Sequence, residues 1–157
     1  MRILFVTTPP NDVLDFLQGV PGVTVLSVAQ GEGKTGFLAR VEFLLRHSDF
    51  DILLTYRCPY LLPGRLWRRV KRGAFNLHPS LLPKYPGLNP WEAILSSGDA
   101  VNGVSLHRMN DQADAGEVIL QASYPLDTDE TLESARDKAD RLSARVIQEW
   151  LSCGIAP

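Results

Sequence analysis

The stretch Phe75-Asn76-Leu77-His78-Pro79-Ser80-Leu81-Leu82-Pro83-Lys84-Tyr85-Pro86-Gly87 constrains the fold more than any other part of the chain. Its first four residues alternate apolar and polar. That is the period of an extended strand, on which residues i and i+2 point to one side. Pro79 has no N–H and rules out a helix running through that point. Pro83, Pro86 and Gly87 then stiffen the following segment into a loop. A strand therefore delivers the Asn76 amide and the His78 imidazole, side by side, to a rigid loop. Alone, the same pair is equally a strand end with a satisfied core Asn and a structural His.

The rest of the chain supplies the frame. Apolar runs at Arg2 to Thr7, Val23 to Val28, Asp51 to Tyr56 and Ala74 to Leu77 read as strands, with the first a buried parallel strand. Helical spacing appears near Val13 to Leu17, with Asn11 or Asp12 as N-cap, and at Phe37 to His47. Short helices are predicted at Leu66 to Val70 and from Pro90 to Leu95. Two late strands, Gly103 to Met109 and Glu117 to Ala122, precede a long amphipathic helix over Asp129 to Leu151, capped by Thr128 or Asp129. Strands alternating with helices predict an α/β fold with a largely parallel sheet, and the two late strands predict an antiparallel edge. With no repeat, low-complexity tract or linker, residues 1–157 read as a single domain.

Composition narrows the function classes. The formal net charge is −2 and the sequence pI is about 5.9, which argues against a nucleic-acid partner. The longest apolar run falls short of the roughly 18 residues of a membrane span. Met1 to Val6 opens a strand rather than a signal peptide, because Pro9 and Pro10 follow too soon. Cys58 and Cys153 are the only cysteines and read as reduced thiols of a cytoplasmic protein. His47, His78 and His107 lack metal-ligand spacing, so no metal is expected. Gly31-Glu32-Gly33-Lys34-Thr35-Gly36 matches a dinucleotide fingerprint, but it follows the second strand where such motifs follow the first. It reads as a surface loop, with a nucleotide-binding module as the rival reading.

A second motif, Asp114-Ala115-Gly116-Glu117-Val118-Ile119, puts a carboxylate before a turn glycine and an apolar strand. Together, Asn76-Leu77-His78-Pro79-Ser80-Leu81-Leu82-Pro83 and Asp114-x-Gly116-x-x-Ile119 resemble the folate-dependent N-formyltransferase family. Its members include glycinamide ribonucleotide transformylase, the catalytic domain of methionyl-tRNA formyltransferase and amino-sugar N-formyltransferases. The resemblance is dense from Ala74 to Tyr124. It implies a Rossmann-like formyltransferase fold, a mostly parallel twisted sheet with helices on both faces and an antiparallel edge near the C-terminus. It implies 10-formyltetrahydrofolate as formyl donor and Asn76, His78 and Asp114 as catalytic residues. It also places the pterin against Tyr56, Arg57, Pro59, Tyr60 and Leu61, under a loop carrying Asn110, Gln112 and Ala113. Ser105 and His107 match a Ser-x-His of the purine-pathway members, where His107 would support the catalytic groups; a plain half-exposed strand pair fits equally.

The chemistry suits those residue types. Formyl transfer to an amine passes through a tetrahedral intermediate with charge on the former formyl oxygen, which calls for a donor and a group that manages protons. Asn76 is a donor, and His78 donates when charged and exchanges protons near neutrality. A carboxylate at Asp114 within 2.6–3.2 Å, or about one water away, would favour imidazolium. At the place of the purine enzymes' phosphate loop stands Thr7-Thr8-Pro9-Pro10-Asn11-Asp12, whose prolines lack N–H donors. That argues against glycinamide ribonucleotide, as the chain's end at Pro157 argues against tRNA. The expected acceptor is the primary amine of a small metabolite, an amino sugar or similar, with a homodimer left open. A formyltetrahydrofolate hydrolase and a non-catalytic folate-binding homologue are the alternatives.

Overall fold

The structure is a computed structural model that describes residues 1–154. Six strands, β1 (Ile3–Thr7), β2 (Val23–Ser27), β3 (Ile52–Tyr56), β4 (Gly73–His78), β5 (Val101–Arg108) and β6 (Val118–Pro125), form one sheet in the order β2-β1-β3-β4-β5-β6. The first four are parallel; β5 runs antiparallel to β4, and β6 to β5. The helices are α1 (Asp12–Gln18), α2 (Lys34–His47), α3 (Gly64–Trp67), α4 (Trp91–Ser96) and α5 (Leu132–Ser152). The predicted fold class, with its antiparallel edge, is the one observed. No described helix is long and apolar enough to cross a membrane.

Every residue of β1 and of β3 is buried, as expected of strands covered on both faces. Alternate residues feed two separate cores. Ile3, Phe5, Ile52, Leu54 and Phe75 pack with α1 and α5, whereas Leu4, Val6, Leu53 and Ala74 pack with α2 and α3. Strand order reverses at β1, which has β2 on one side and β3 on the other. Such a reversal opens a crevice at the strands' carboxyl ends.

Local chemistry moved several element ends. Asn11 does cap α1, accepting from Leu14 N–H at 2.9 Å. The long helix starts at Leu132 rather than Asp129, because Thr131 and Ser134 form a reciprocal capping box while Glu130 N–H turns back to Asp127 O. Lys34, Thr35 and Gly36 form the first turn of α2, so only the front half of the glycine-rich segment is loop. The short basic helix lies over Gly64–Trp67, not Leu66 to Val70.

Candidate active site

Strand periodicity fixes the site. Leu53 and Ala74 face the α2 core, so Thr55, Asn76 and His78, at steps of two, face the same way. The helical cover stops before them. Parallel pairing sets Thr55 beside Asn76, and antiparallel pairing sets His107 on the other side of Asn76. Three adjacent strands thus present a polar row, Thr55–Asn76–His107, with His78 next to it.

The hydrogen bonds define which atoms face the cleft. Thr55 Oγ1 donates to Asn76 Oδ1 at 2.7 Å, which leaves Asn76 Nδ2 pointing to His107 Nε2 at 3.2 Å and Asp114 Oδ1 at 3.4 Å. His107 Nδ1 faces the Arg108 carbonyl at 2.9 Å and so carries a proton. Its Nε2 accepts from Asn76 in the neutral ring and, when charged, donates to Asp114 Oδ1 at 3.4 Å. His78 Nε2 faces the Tyr85 carbonyl at 2.7 Å, and its Nδ1 lies 3.6 Å from Asp114 Oδ2. The His78–Asp114 approach is therefore looser than the 2.6–3.2 Å contact expected of a working acid–base pair.

Asp114 reaches the row from a loop 38 residues away in sequence from Asn76. It holds φ 55°, and Gly87 N–H donates to its Oδ2 at 2.7 Å. Gly116 explains the motif's glycine: a Cβ there would lie 1.8 Å from the Arg108 carbonyl oxygen. Only a bare backbone lets the chain turn back into β6 that closely.

Electrostatics correct one expectation. Burial pushes the His78 pKa down, and the Asp114 charge and the Tyr85 carbonyl, which push it up, do not make good the difference. His78 is 4% exposed, so the charged ring pays desolvation that a carboxylate 3.6 Å away only partly offsets. It rests neutral rather than as imidazolium. For Asp114, burial pushes upward, but the hydrogen bond and charge that His107 and His78 offer in their protonated forms, with the Gly87 amide, hold it below the usual carboxylate range.

The row opens on a cleft of about 470 Å³, in the range of small-molecule sites. Asn76, His78, His107 and Asp114 line it, and so do Tyr56, Arg57, Pro59, Tyr60, Leu61, Asn110, Gln112 and Ala113. Leu62, Trp67 and Met109 add apolar lining to the cleft. Three of the lining residues send their side chains elsewhere. The Tyr56 ring packs in the α1–α5 core and its hydroxyl donates to Asp140. Arg57, at φ 52°, donates to Pro10 O at 2.7 Å and to Asp140 Oδ2 at 3.1 Å. Tyr60 Oη donates to Glu32 O at 2.6 Å. Ser105 is not among the lining residues; its hydroxyl donates to Ser80 O at 2.6 Å and accepts from Leu82 N–H at 3.0 Å, bracing the loop after β4. Gly31 to Gly36 lies outside the cleft, and Glu32 there is bound to Arg40 and to Ala29 N–H.

Sequence reasoning missed Thr55, the one aliphatic hydroxyl in the run Ile-Leu-Leu-Thr-Tyr of β3. A single aliphatic hydroxyl in a strand buried on both faces was the available signal. It also missed Tyr85 and Gly87, whose contacts to His78 and Asp114 are made by backbone atoms.

Residues 8–151 match the family model described as Formyl transferase. The chain is 34% identical over 143 residues to the methionyl-tRNA formyltransferase of Thermotoga neapolitana, covering 90% of this chain and 43% of that protein. It is 36% identical over 83 residues to the GDP-perosamine N-formyltransferase of Brucella melitensis, covering 53% of this chain and 32% of that one. The chain thus spans less than half the length of these curated relatives. Among solved structures, HypX from Aquifex aeolicus in complex with tetrahydrofolic acid superposes with a TM-score of 0.75 at 19% identity, over 98% of this chain and 26% of HypX.

Proposed function

The chain belongs to the formyl transferase family, and from that premise we propose that it moves a formyl group from 10-formyltetrahydrofolate to the primary amine of a small metabolite, an amino sugar or a similar compound. The observation that carries the proposal is the convergence of Asn76, His78, His107 and Asp114 at one cleft. The donor supplies an electrophilic formyl carbon when bound. Leu62, Trp67, Met109 and the loops 57–61 and 110–113 would hold its ring.

The chain's own groups then divide the work. Thr55 holds the Asn76 amide so that Nδ2 serves as a donor to the oxygen that gains charge. His78 rests neutral with its lone pair on Nδ1, ready to take the proton the attacking amine gives up. The imidazolium so formed lies beside ionised Asp114, its new N–H serves the oxyanion, and it then gives the proton to the departing donor nitrogen as the bond from that nitrogen to the formyl carbon breaks. Asp114 stabilises that charged state, and Gly87 N–H and the Asn76 amide hold Asp114 in place.

A small amine is favoured by two features. Pro9 and Pro10 after β1 offer no N–H to a phosphate, and the Brucella relative is named for an amino sugar. The free thiols Cys58 and Cys153 suit a reducing cytoplasm; a homodimer is open to light scattering. The test is an amine panel with 10-formyltetrahydrofolate, read by mass spectrometry, comprising nucleotide-linked amino sugars, glycinamide ribonucleotide, aminoacylated tRNA and water alone. A formylated amino sugar is expected. Product from tRNA alone, or formate alone, would overturn the acceptor assignment. In crystals, a folate analogue should occupy the cleft; binding at Gly31 to Gly36 instead would favour the nucleotide-module reading.

A further inference from the structure

His78 Nε2 lies 2.7 Å from the Tyr85 carbonyl oxygen, and a carbonyl only accepts. Nε2 therefore keeps its proton in both charge states of the ring. The reverse tautomer would set two acceptors face to face at that distance. In the neutral ring the lone pair is confined to Nδ1, on the Asp114 side.

The carbonyl points at His78 because Tyr85 takes φ 53°, a left-handed backbone that a bulky residue adopts only when held. The hold is on the side chain. Tyr85 Oη donates to Asp99 Oδ2 at 2.6 Å, and Lys84 Nζ donates to the same oxygen at 2.7 Å. Asp99 sits in the turn before β5, its N–H bonded to Ser97 Oγ at 3.0 Å. Ser80 Oγ closes the loop from inside, donating to Lys84 O at 2.6 Å.

We propose that Tyr85 and Asp99 are positioning residues: the bond between them aims the Tyr85 carbonyl at Nε2 and so assigns proton uptake to Nδ1, the nitrogen beside Asp114. The titratable groups acting directly on His78 are Asp114 and His107; Lys84 and Asp99 act through the carbonyl. The proposal rests on the reading of His78 as the proton-managing group of formyl transfer, but the tautomer belongs to the free protein and is measurable without substrate.

The experiment is long-range nitrogen–proton NMR on the full chain labelled at histidine nitrogens, with pH–rate profiles alongside. Wild type should show neutral His78 as the Nε2–H tautomer. Tyr85→Phe and Asp99→Ala should each weaken that preference by roughly fivefold, the worth of one ordinary hydrogen bond. Both should lower the His78 pKa, because the carbonyl bond raises it, and move the acid limb of the rate profile to lower pH. Asp99→Asn keeps an acceptor for the phenol and should restore both readouts. A purely structural role would change the melting temperature and leave tautomer and limb alone. An Nδ1–H tautomer in wild type, or an unchanged ratio in folded Tyr85→Phe, would overturn the proposal. If Asp99→Ala does not fold, Tyr85→Phe decides. If no amine is formylated, the functional reading falls and the spectrum still decides the tautomer.

Discussion

Asp114→Asn is the perturbation that separates charge from shape at this site. Asn keeps an oxygen for Gly87 N–H, now 2.7 Å from Oδ2, and nearly the same volume. What it removes is a negative charge 3.6 Å from His78 Nδ1, where the two side chains are 5% and 11% exposed. At an effective dielectric constant of about 20, that pair attracts by roughly 4–5 kcal/mol. The amide dipole of Asn recovers part of this, so about 2–4 kcal/mol of imidazolium stabilisation is lost in the transition state. At about 1.4 kcal/mol per decade, turnover should fall roughly 30- to 1000-fold. The His78 pKa should fall further below its ordinary value, since the lost charge was the largest influence raising it. The assay is formyl-donor turnover across pH for wild type, Asp114→Asn, His78→Ala and the double variant, with circular dichroism to confirm folding. The double variant should lose much less than the product of the single losses, because the two side chains act as a unit. Wild-type turnover in folded Asp114→Asn, or fully multiplicative losses, would refute the reasoning.

Thr55→Val deletes the donor that holds Asn76 Oδ1 at 2.7 Å and frees the amide to turn over. Turnover should drop roughly tenfold with the donor KM unchanged, and Thr55→Ser should behave like wild type in steady-state kinetics. Gly116→Ala would press a Cβ to 1.8 Å from Arg108 O. Urea denaturation should show a loss of about 1–3 kcal/mol, and turnover should fall as Asp114 shifts; a stable, fully active variant would show that the turn has slack. Acid should weaken the fold in two windows. Between its lowered folded pKa and about 6.5, His78 stays neutral while the unfolded chain binds a proton, so stability drops as pH falls through that range. The lowered Asp114 pKa adds stability above about 4 that is lost as pH falls through the folded value. The urea midpoint of wild type should therefore decline more from pH 7 to 5 than that of His78→Gln.

The α/β class was legible because β1 and β3 are apolar runs broken only near their ends, as burial on both faces demands. Asn76 and His78 were legible because their two-residue spacing and the following proline allow one local geometry. Thr55 was not, since its role depends on lying opposite Asn76. A slip of one residue would put Leu54 or Tyr56 there, on the other face, and nothing in a single sequence sets that register. The sign of the His78 shift was illegible for a related reason. A carboxylate in a motif is visible in the letters, whereas the burial that outweighs it depends on how the loop after β4 closes over the ring. Thr131 was passed over as a cap because Thr128 and Asp129 carry the same local signal; the capping box with Ser134 decides between them.

Thr55, Asn76 and His107 belong to three neighbouring strands, and β3 and β4 are hydrogen-bonded on both sides. Amides in such strands exchange with solvent through opening of the whole sheet, while a loop opens on its own at far lower cost. Asp114 stands on such a loop, among the exposed residues Asp111, Gln112, Ala113 and Ala115, and is tied by Gly87 N–H. Mild heating would therefore take away the carboxylate before it disturbs the amide and the imidazoles. Inactivation below the melting transition would be reversible on cooling, and deuterium uptake would rise first at residues 110–116 while Thr55 and Asn76 stayed protected.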